Sequence, residues 1–99
     1  MHWIEWYRIV ACKDFCEVPR YVLVANAAED AFFILDAGSE AHSPIYTIHD
    51  AGSETGEAAA AFEHHASGSI ESPAIGCIPV EHVQFDGFAR LKLTSPPIV

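Results

Sequence analysis

Apolar residues in this chain fall into short runs separated by polar or glycine-containing breaks, the signature of strands rather than long helices. Residues 3–12 are rich in Trp, Tyr, Ile and Val and predict a first strand. Their alternation is imperfect, with apolar side chains on both faces, as in a strand covered on both sides or covered on one side by a partner chain. Residues 13–19 read as a mixed connection. The runs 21–25 and 32–35 flank Asn26-Ala27-Ala28-Glu29-Asp30 and predict a hairpin. Pairing Ala25 with Ala31 sets Val24 against Phe32, Leu23 against Phe33 and Val22 against Ile34. A further strand is predicted at 45–49.

The period then changes. Residues 57–66 contain four consecutive alanines and Phe62, which favour a helix. Ser53 or Thr55 is placed to cap its start, and Gly68 to stop it. Ala58, Ala59, Phe62 and Ala66 share one face at helical spacing, so that face is expected to pack. A short apolar run at 74–80 follows, broken by Pro79. The segments 80–85 and 88–94 flank Asp86-Gly87, a two-residue hairpin signal. That register sets Phe85 against Phe88, Val83 against Arg90 and Glu81 against Lys92, with Val80, Ala89, Leu91 and Leu93 facing inward. Residues 95–99 form a Pro-containing C-terminal tail that cannot continue a ladder. The expected architecture is α+β in one domain over residues 1–99. It has a mostly antiparallel sheet of about five or six strands, one helix packed on a face, and the order β-β-β-β-α-β-β.

Composition sharpens this picture. At 51% hydrophobic and 19% charged residues, the 99-residue chain is too apolar for disorder. Some of that apolar surface is expected to cover a subunit interface, most simply in a homodimer, with Trp3, Trp6 and Tyr7 as its anchors. No apolar segment approaches the length that spans a bilayer, and the first ten residues do not read as a signal peptide. Three cysteines in no framework spacing suit reduced thiols in a cytoplasm. Lys13 between Cys12 and Cys16 would favour a thiolate, although structural thiols are the simpler reading.

Charge is distributed very unevenly. Residues 21–89 contain no Lys or Arg, yet hold 11 of the 14 carboxylates, so the net charge of −9 arises in the middle of the chain. Such a field repels nucleic acid and anionic membranes and attracts basic proteins. Asp36, Glu40, Asp50, Glu54, Glu57 and Glu63 are the expected partner-binding residues. Asp-Ala-Gly-Ser-Glu occurs at both 36–40 and 50–54, raising the question of a shared cation site. If strands 31–35 and 45–49 pair antiparallel, however, the two loops leave opposite ends of the sheet, and repeated turn chemistry explains the repeat. Of the six histidines, His64 and His65 diverge by about 100° on a helix. His42 and His49 are set apart by a strand, and no zinc-ligand spacing exists. No metal, cofactor or catalytic residue is predicted; nucleophile-elbow and phosphate-loop motifs are absent.

The stretch 21–62 includes Tyr-Val-Leu-Val-Ala-Asn, Ile-Leu-Asp, Pro-Ile-Tyr, His-Asp and a Phe-containing helix. It resembles part of the bacterial immunity domains related to a fungal cell-wall regulator. The resemblance covers under half the chain. The N-terminal helices of that family have no counterpart here and the terminal Asp-Gly hairpin is extra, so no residue role is carried over.

The functional expectation is a small acidic binding protein, immunity- or inhibitor-like or regulatory, engaging a basic protein partner. The alternatives are a small-molecule-binding or enzymatic α+β domain with an aromatic and His-lined pocket, or a structural homodimer. Because free histidine gains charge near pH 6.5, acidification erodes the negative field. Affinity for a basic partner, measured by calorimetry at fixed salt, should therefore be weaker at about pH 5.5 than at about pH 7.5; equal affinities would exclude a field-driven contact.

Overall fold

A computed structural model describes residues 5–16, 18–38 and 45–99. The chain forms β1 (Trp6–Cys16), β2 (Val18–Ala25), β3 (Phe32–Asp36), β4 (Ile45–Gly52), α1 (Thr55–Ser67), β5 (Ala74–Pro79), β6 (Val83–Asp86) and β7 (Arg90–Leu93). A single 3₁₀ turn, Val80–His82, joins β5 to β6. All seven strands lie in one antiparallel sheet of order β5-β4-β3-β2-β1-β7-β6. The α+β class, antiparallel pairing and helix after the fourth strand are as expected. The strand count among the described residues is seven rather than five or six, because the run broken by Pro79 and the C-terminal hairpin supply three strands.

The sheet buries both faces, and its strands carry apolar side chains in both phases of the pleat. One face gathers Tyr7, Ile9, Val22, Val24, Phe33, Leu35, Tyr46, Ile48, Ile78, Val83, Leu91 and Leu93, drawn from all seven strands. The other buries Tyr21, Leu23, Ala25, Phe32, Ile34 and Ala51 beneath Ala58 and Phe62 of α1. In β1 the register slips between Ile9 and Ala11 against β2. This bulge lets Val10 and Ala11 both pack on the helix side, which accounts for the imperfect alternation of the first strand.

Two hairpin registers differ from the sequence expectation. Ala25 lies opposite Phe32, Val24 opposite Phe33 and Leu23 opposite Ile34, one residue along from the expected pairing. The loop decides this. The Asn26 N–H donates to the Ala31 carbonyl at 3.1 Å, and its side-chain Oδ1 accepts from the N–H groups of Asp30 and Ala31. With apolar residues in both phases, the pattern alone could not tell the two registers apart.

In the last hairpin Asp86 lies opposite Arg90, Phe85 opposite Leu91 and Val83 opposite Leu93. Glu81 falls in the 3₁₀ turn, and Lys92 faces Gln84. Burial selects this register: it brings Val83, Phe85, Leu91 and Leu93 to one face, whereas the shorter loop would set Val83 against a cation.

The segment expected as a connection at 13–19 is instead the tip of a long β1–β2 hairpin, paired as far as Cys16 with Val18. Helix α1 begins at an N-cap, Glu54, that makes no side-chain capping bond, so neither Ser53 nor Thr55 caps it. It ends as expected at Gly68, whose φ of 78° continues the chain in a left-handed turn. The tail also departs from expectation. Ile98 exchanges both backbone hydrogen bonds with Cys77, at 2.7 and 2.8 Å, and so extends the β5 edge. Gly76 permits this approach, since a Cβ there would lie 2.8 Å from the Ile98 carbonyl oxygen.

Burial pushes the Tyr7 phenol up to about 12, with a smaller contribution from Glu5. Burial raises that of Tyr46 still further; its hydroxyl donates to the Pro19 carbonyl at 2.5 Å. Above about pH 10 the unfolded chain loses these protons while the fold keeps them. Stability should then fall with rising pH, by up to about 1.4 kcal/mol per unit for each tyrosine. For Tyr7 the loss should run from about pH 10 to about pH 12. Urea unfolding across that range should show a shallower decline in Tyr7→Phe than in the wild type.

Candidate functional site

The two copies of Asp-Ala-Gly-Ser-Glu lie at opposite ends of the β3–β4 pair, as an antiparallel arrangement requires. Both use the same local device. Asp36 Oδ1 accepts from the Gly38 N–H at 2.7 Å, and Asp50 Oδ1 accepts from the Gly52 N–H at 2.9 Å. Each aspartate thus closes its own turn, in keeping with repeated turn chemistry.

The expected partner-binding carboxylates divide into two groups. Asp50, Glu54 and Glu57 are exposed around the β4–α1 turn. Glu71 is also exposed, two residues before Pro73, whose carbonyl accepts the Asp50 N–H. Glu63 is drawn across to β1 by Lys13, which bonds it at 2.5 Å. Asp36 turns inward, its side chain only 18% exposed. Glu40 lies outside the described residues.

Of the aromatic residues expected at an interface, Trp3 also lies outside the described residues. Tyr7 is buried in the chain's own core, edge-on to Phe33. Trp6 is half-buried, with the Arg90 guanidinium 4.1 Å above its ring. Burial pushes the Cys12 thiol up, against the activation that Lys13 would supply.

Asp36 turns toward a polar cluster at the C-terminal end of α1. The cluster assembles because Asp36 on β3, His49 on β4 and His65 on α1 all face the sheet–helix interface, beside Ile34 and Phe62. His64, one helical step away, is exposed, in keeping with the divergence expected of the pair. His65 is 3% exposed at its side chain, and its Nε2 lies 2.9 Å from Asp36 Oδ2. A carboxylate can only accept, so Nε2 carries the proton in that bond.

His49, 3% exposed, directs Nδ1 to the Ser72 carbonyl at 2.8 Å. A carbonyl likewise only accepts, so His49 is protonated on Nδ1 and a neutral ring keeps its lone pair on Nε2. The two imidazole centroids are 4.4 Å apart, and the Tyr21 ring meets His65 edge-on at 5.9 Å. On its other side Asp36 receives the Gly38 N–H and lies 3.8 Å from Arg20 Nε. His65 Nδ1 is buried without a hydrogen-bond partner among the described residues.

One ligand-type atom from each of Asp36, His49 and His65 falls within 4.8 Å of the others. Sequence reasoning kept these residues apart, since Asp36 and His49 are separated by a loop and His65 lies a further sixteen positions on. The available signal was the strand phase of His49, which matches that of Ala51, together with the helical spacing of His65 from Ala58 and Phe62. A small cleft lies on the opposite face of the sheet, lined by Tyr7, Val24, Phe33, Leu35, Ile48, Leu91 and Leu93. It is apolar, and neither buried histidine reaches it.

Among the described residues, no helix is long and apolar enough to cross a membrane. No protein-family model, curated protein or solved structure matches the chain.

Removing the Asp36 carboxylate leaves the buried His65 Nε2–H without its acceptor, a loss worth about 1–3 kcal/mol. Urea denaturation should show Asp36→Ala destabilised by that amount, whereas exposed His64→Ala should change stability by less than about 0.5 kcal/mol.

Proposed function

We infer that the chain is a binding protein whose acidic surface around the β4–α1 turn engages a cationic protein, as an inhibitor, immunity factor or regulator does. One observation carries this reading: the destination of the positive charges. Arg8, Lys13, Arg20 and Arg90 are each spent on a carboxylate, namely Glu29, Glu63, Asp36 and Asp86. Lys92 lies 6.0 Å over the Trp6 ring on the far strands. Asp50, Glu54, Glu57 and Glu71 have no ion-pair partner among the described residues. These four carboxylates, part of the net charge of −9, form an anionic patch around that turn that steers an oppositely charged partner.

This surface is narrower than the six carboxylates of the sequence reading. Asp36 serves the histidine cluster and Glu63 serves the helix–sheet contact, while Glu71 joins the patch. The free thiols of Cys12 and Cys77 accord with a cytoplasmic setting. Self-association through the N-terminal aromatic strand is a competing use of the apolar surplus. Trp6 is the described residue available for it, since Tyr7 belongs to the core.

Steered association is fast and falls with ionic strength. Cationic proteins captured from the source cell should bind about tenfold more slowly at about 0.5 M salt than at about 0.05 M. The combined Asp50→Asn, Glu54→Gln, Glu57→Gln variant should lose capture at low salt while keeping its circular dichroism spectrum. Equal capture by the variant and the wild type would reject the reading.

A further inference from the structure

We propose that Asp36, His49 and His65 form a binding site for one borderline divalent transition-metal ion, Zn²⁺ above others, which ties the end of α1 to β3 and β4. Three observations converge on it. The donor set is two imidazoles and a carboxylate, with one ligand atom from each lying within 4.8 Å of the others. Ligands about 2.1 Å from a tetrahedral ion stand roughly 3.4 Å apart, so small side-chain adjustments suffice to close around a metal. The 2.9 Å contact between His65 Nε2 and Asp36 Oδ2 opens by about half an ångström in the process.

The second observation is the orientation of the donors. His49 gives its Nδ1–H to the Ser72 carbonyl, which leaves the Nε2 lone pair for a ligand and holds the ring in place. This is the outer bond that metal-ligating histidines usually make. Asp36 is held in the same way: the Gly38 N–H and Arg20 engage Oδ1, so Oδ2 faces the histidines and a one-oxygen ligand results.

The third observation is the unpaired polar atom. His65 Nδ1 is buried in a side chain that is 3% exposed, and no group among the described residues satisfies it. Nothing among those residues pins the ring's tautomer on that side, so when Nε2 coordinates, its proton can move to Nδ1.

Two nitrogen ligands select Zn²⁺, Co²⁺ or Ni²⁺ over Ca²⁺ and Mg²⁺, which take oxygen sets. Three protein ligands leave a fourth position, reached from the partly open Asp36 side. The nearby Arg20 guanidinium opposes a cation, and the surrounding negative charge of the chain counters it.

The test uses the untagged full chain after treatment with a chelator. Zn²⁺ titration against a chromophoric competitor should give one tight site. Co²⁺ should add the visible ligand-field bands of a tetrahedral complex, and saturating Zn²⁺ should raise the thermal midpoint. His49→Gln and Asp36→Asn should each weaken Zn²⁺ binding by at least about 100-fold, while His64→Gln leaves it unchanged. Should those variants fail to fold, nitrogen NMR of the wild type still decides. Zn²⁺ should move the ring signals of His49 and His65 and leave those of His64 and His82 in place. No saturable Zn²⁺ binding, or binding that moves only the exposed histidines, would overturn the proposal.

Discussion

A sheet that curls on itself can hide one face among its own side chains, but its other face needs a cover, and here that cover is one thirteen-residue helix. Phe62 and Ala58 fill the middle of that contact. Most of the remaining helix residues that touch the sheet are alanines, so the helix can lie close against Leu23, Phe32 and Ile34. This short cover determines what happens at its margins. Beyond Phe62 the apolar contact thins to Ala66, and the chain places His65, His49 and Asp36 there. At the other end, the turn into the helix carries Asp50, Glu54 and Glu57, exposed to solvent.

Polar groups under a helix end normally weaken a fold unless they satisfy one another. The Asp36–His65 and His49–Ser72 bonds do most of this, and the turn at Gly38 holds the carboxylate from behind. The same aspartate that the sequence presents as one of two identical loop residues therefore has a different role from its copy. Asp50, with the same turn geometry, faces solvent. Identical local chemistry is put to two uses because Asp36 lies in the strand phase of Ile34, on the helix side of the sheet, whereas Asp50 lies in the phase of Ile48, on the other side.

Much of the fold could be read from the residues. The short apolar runs, the alanine-rich helix stopped by Gly68, and the antiparallel placement of the repeated loops all follow from local pattern and turn chemistry. The strand registers could not be read, because a sheet apolar on both faces removes the alternation that normally distinguishes neighbouring alignments. The loop geometry of Asn26 and the burial of Leu91 with Val83 decided them instead. The histidine cluster was hidden for a related reason. Its members come from three elements, and only the phase of β4 and the face of α1, known together, bring the ring centroids of His49 and His65 to 4.4 Å. Charge was legible as a total but not as a surface, since pairing to Lys13 and Arg20 withdrew Glu63 and Asp36 from it.

The bond pair between Ile98 and Cys77 has a bearing on how this molecule avoids its neighbours. An unpaired outer strand is a template on which another chain can assemble, and an open sheet has two of them. Here the outer side of β5 is overlaid by a stretch containing Pro96 and Pro97, which have no N–H to offer a newcomer. Among the described residues the other border is the four-residue β6, too short to recruit a stranger firmly. A handful of residues at the end of the chain thus acts as a guard against fibril-like growth.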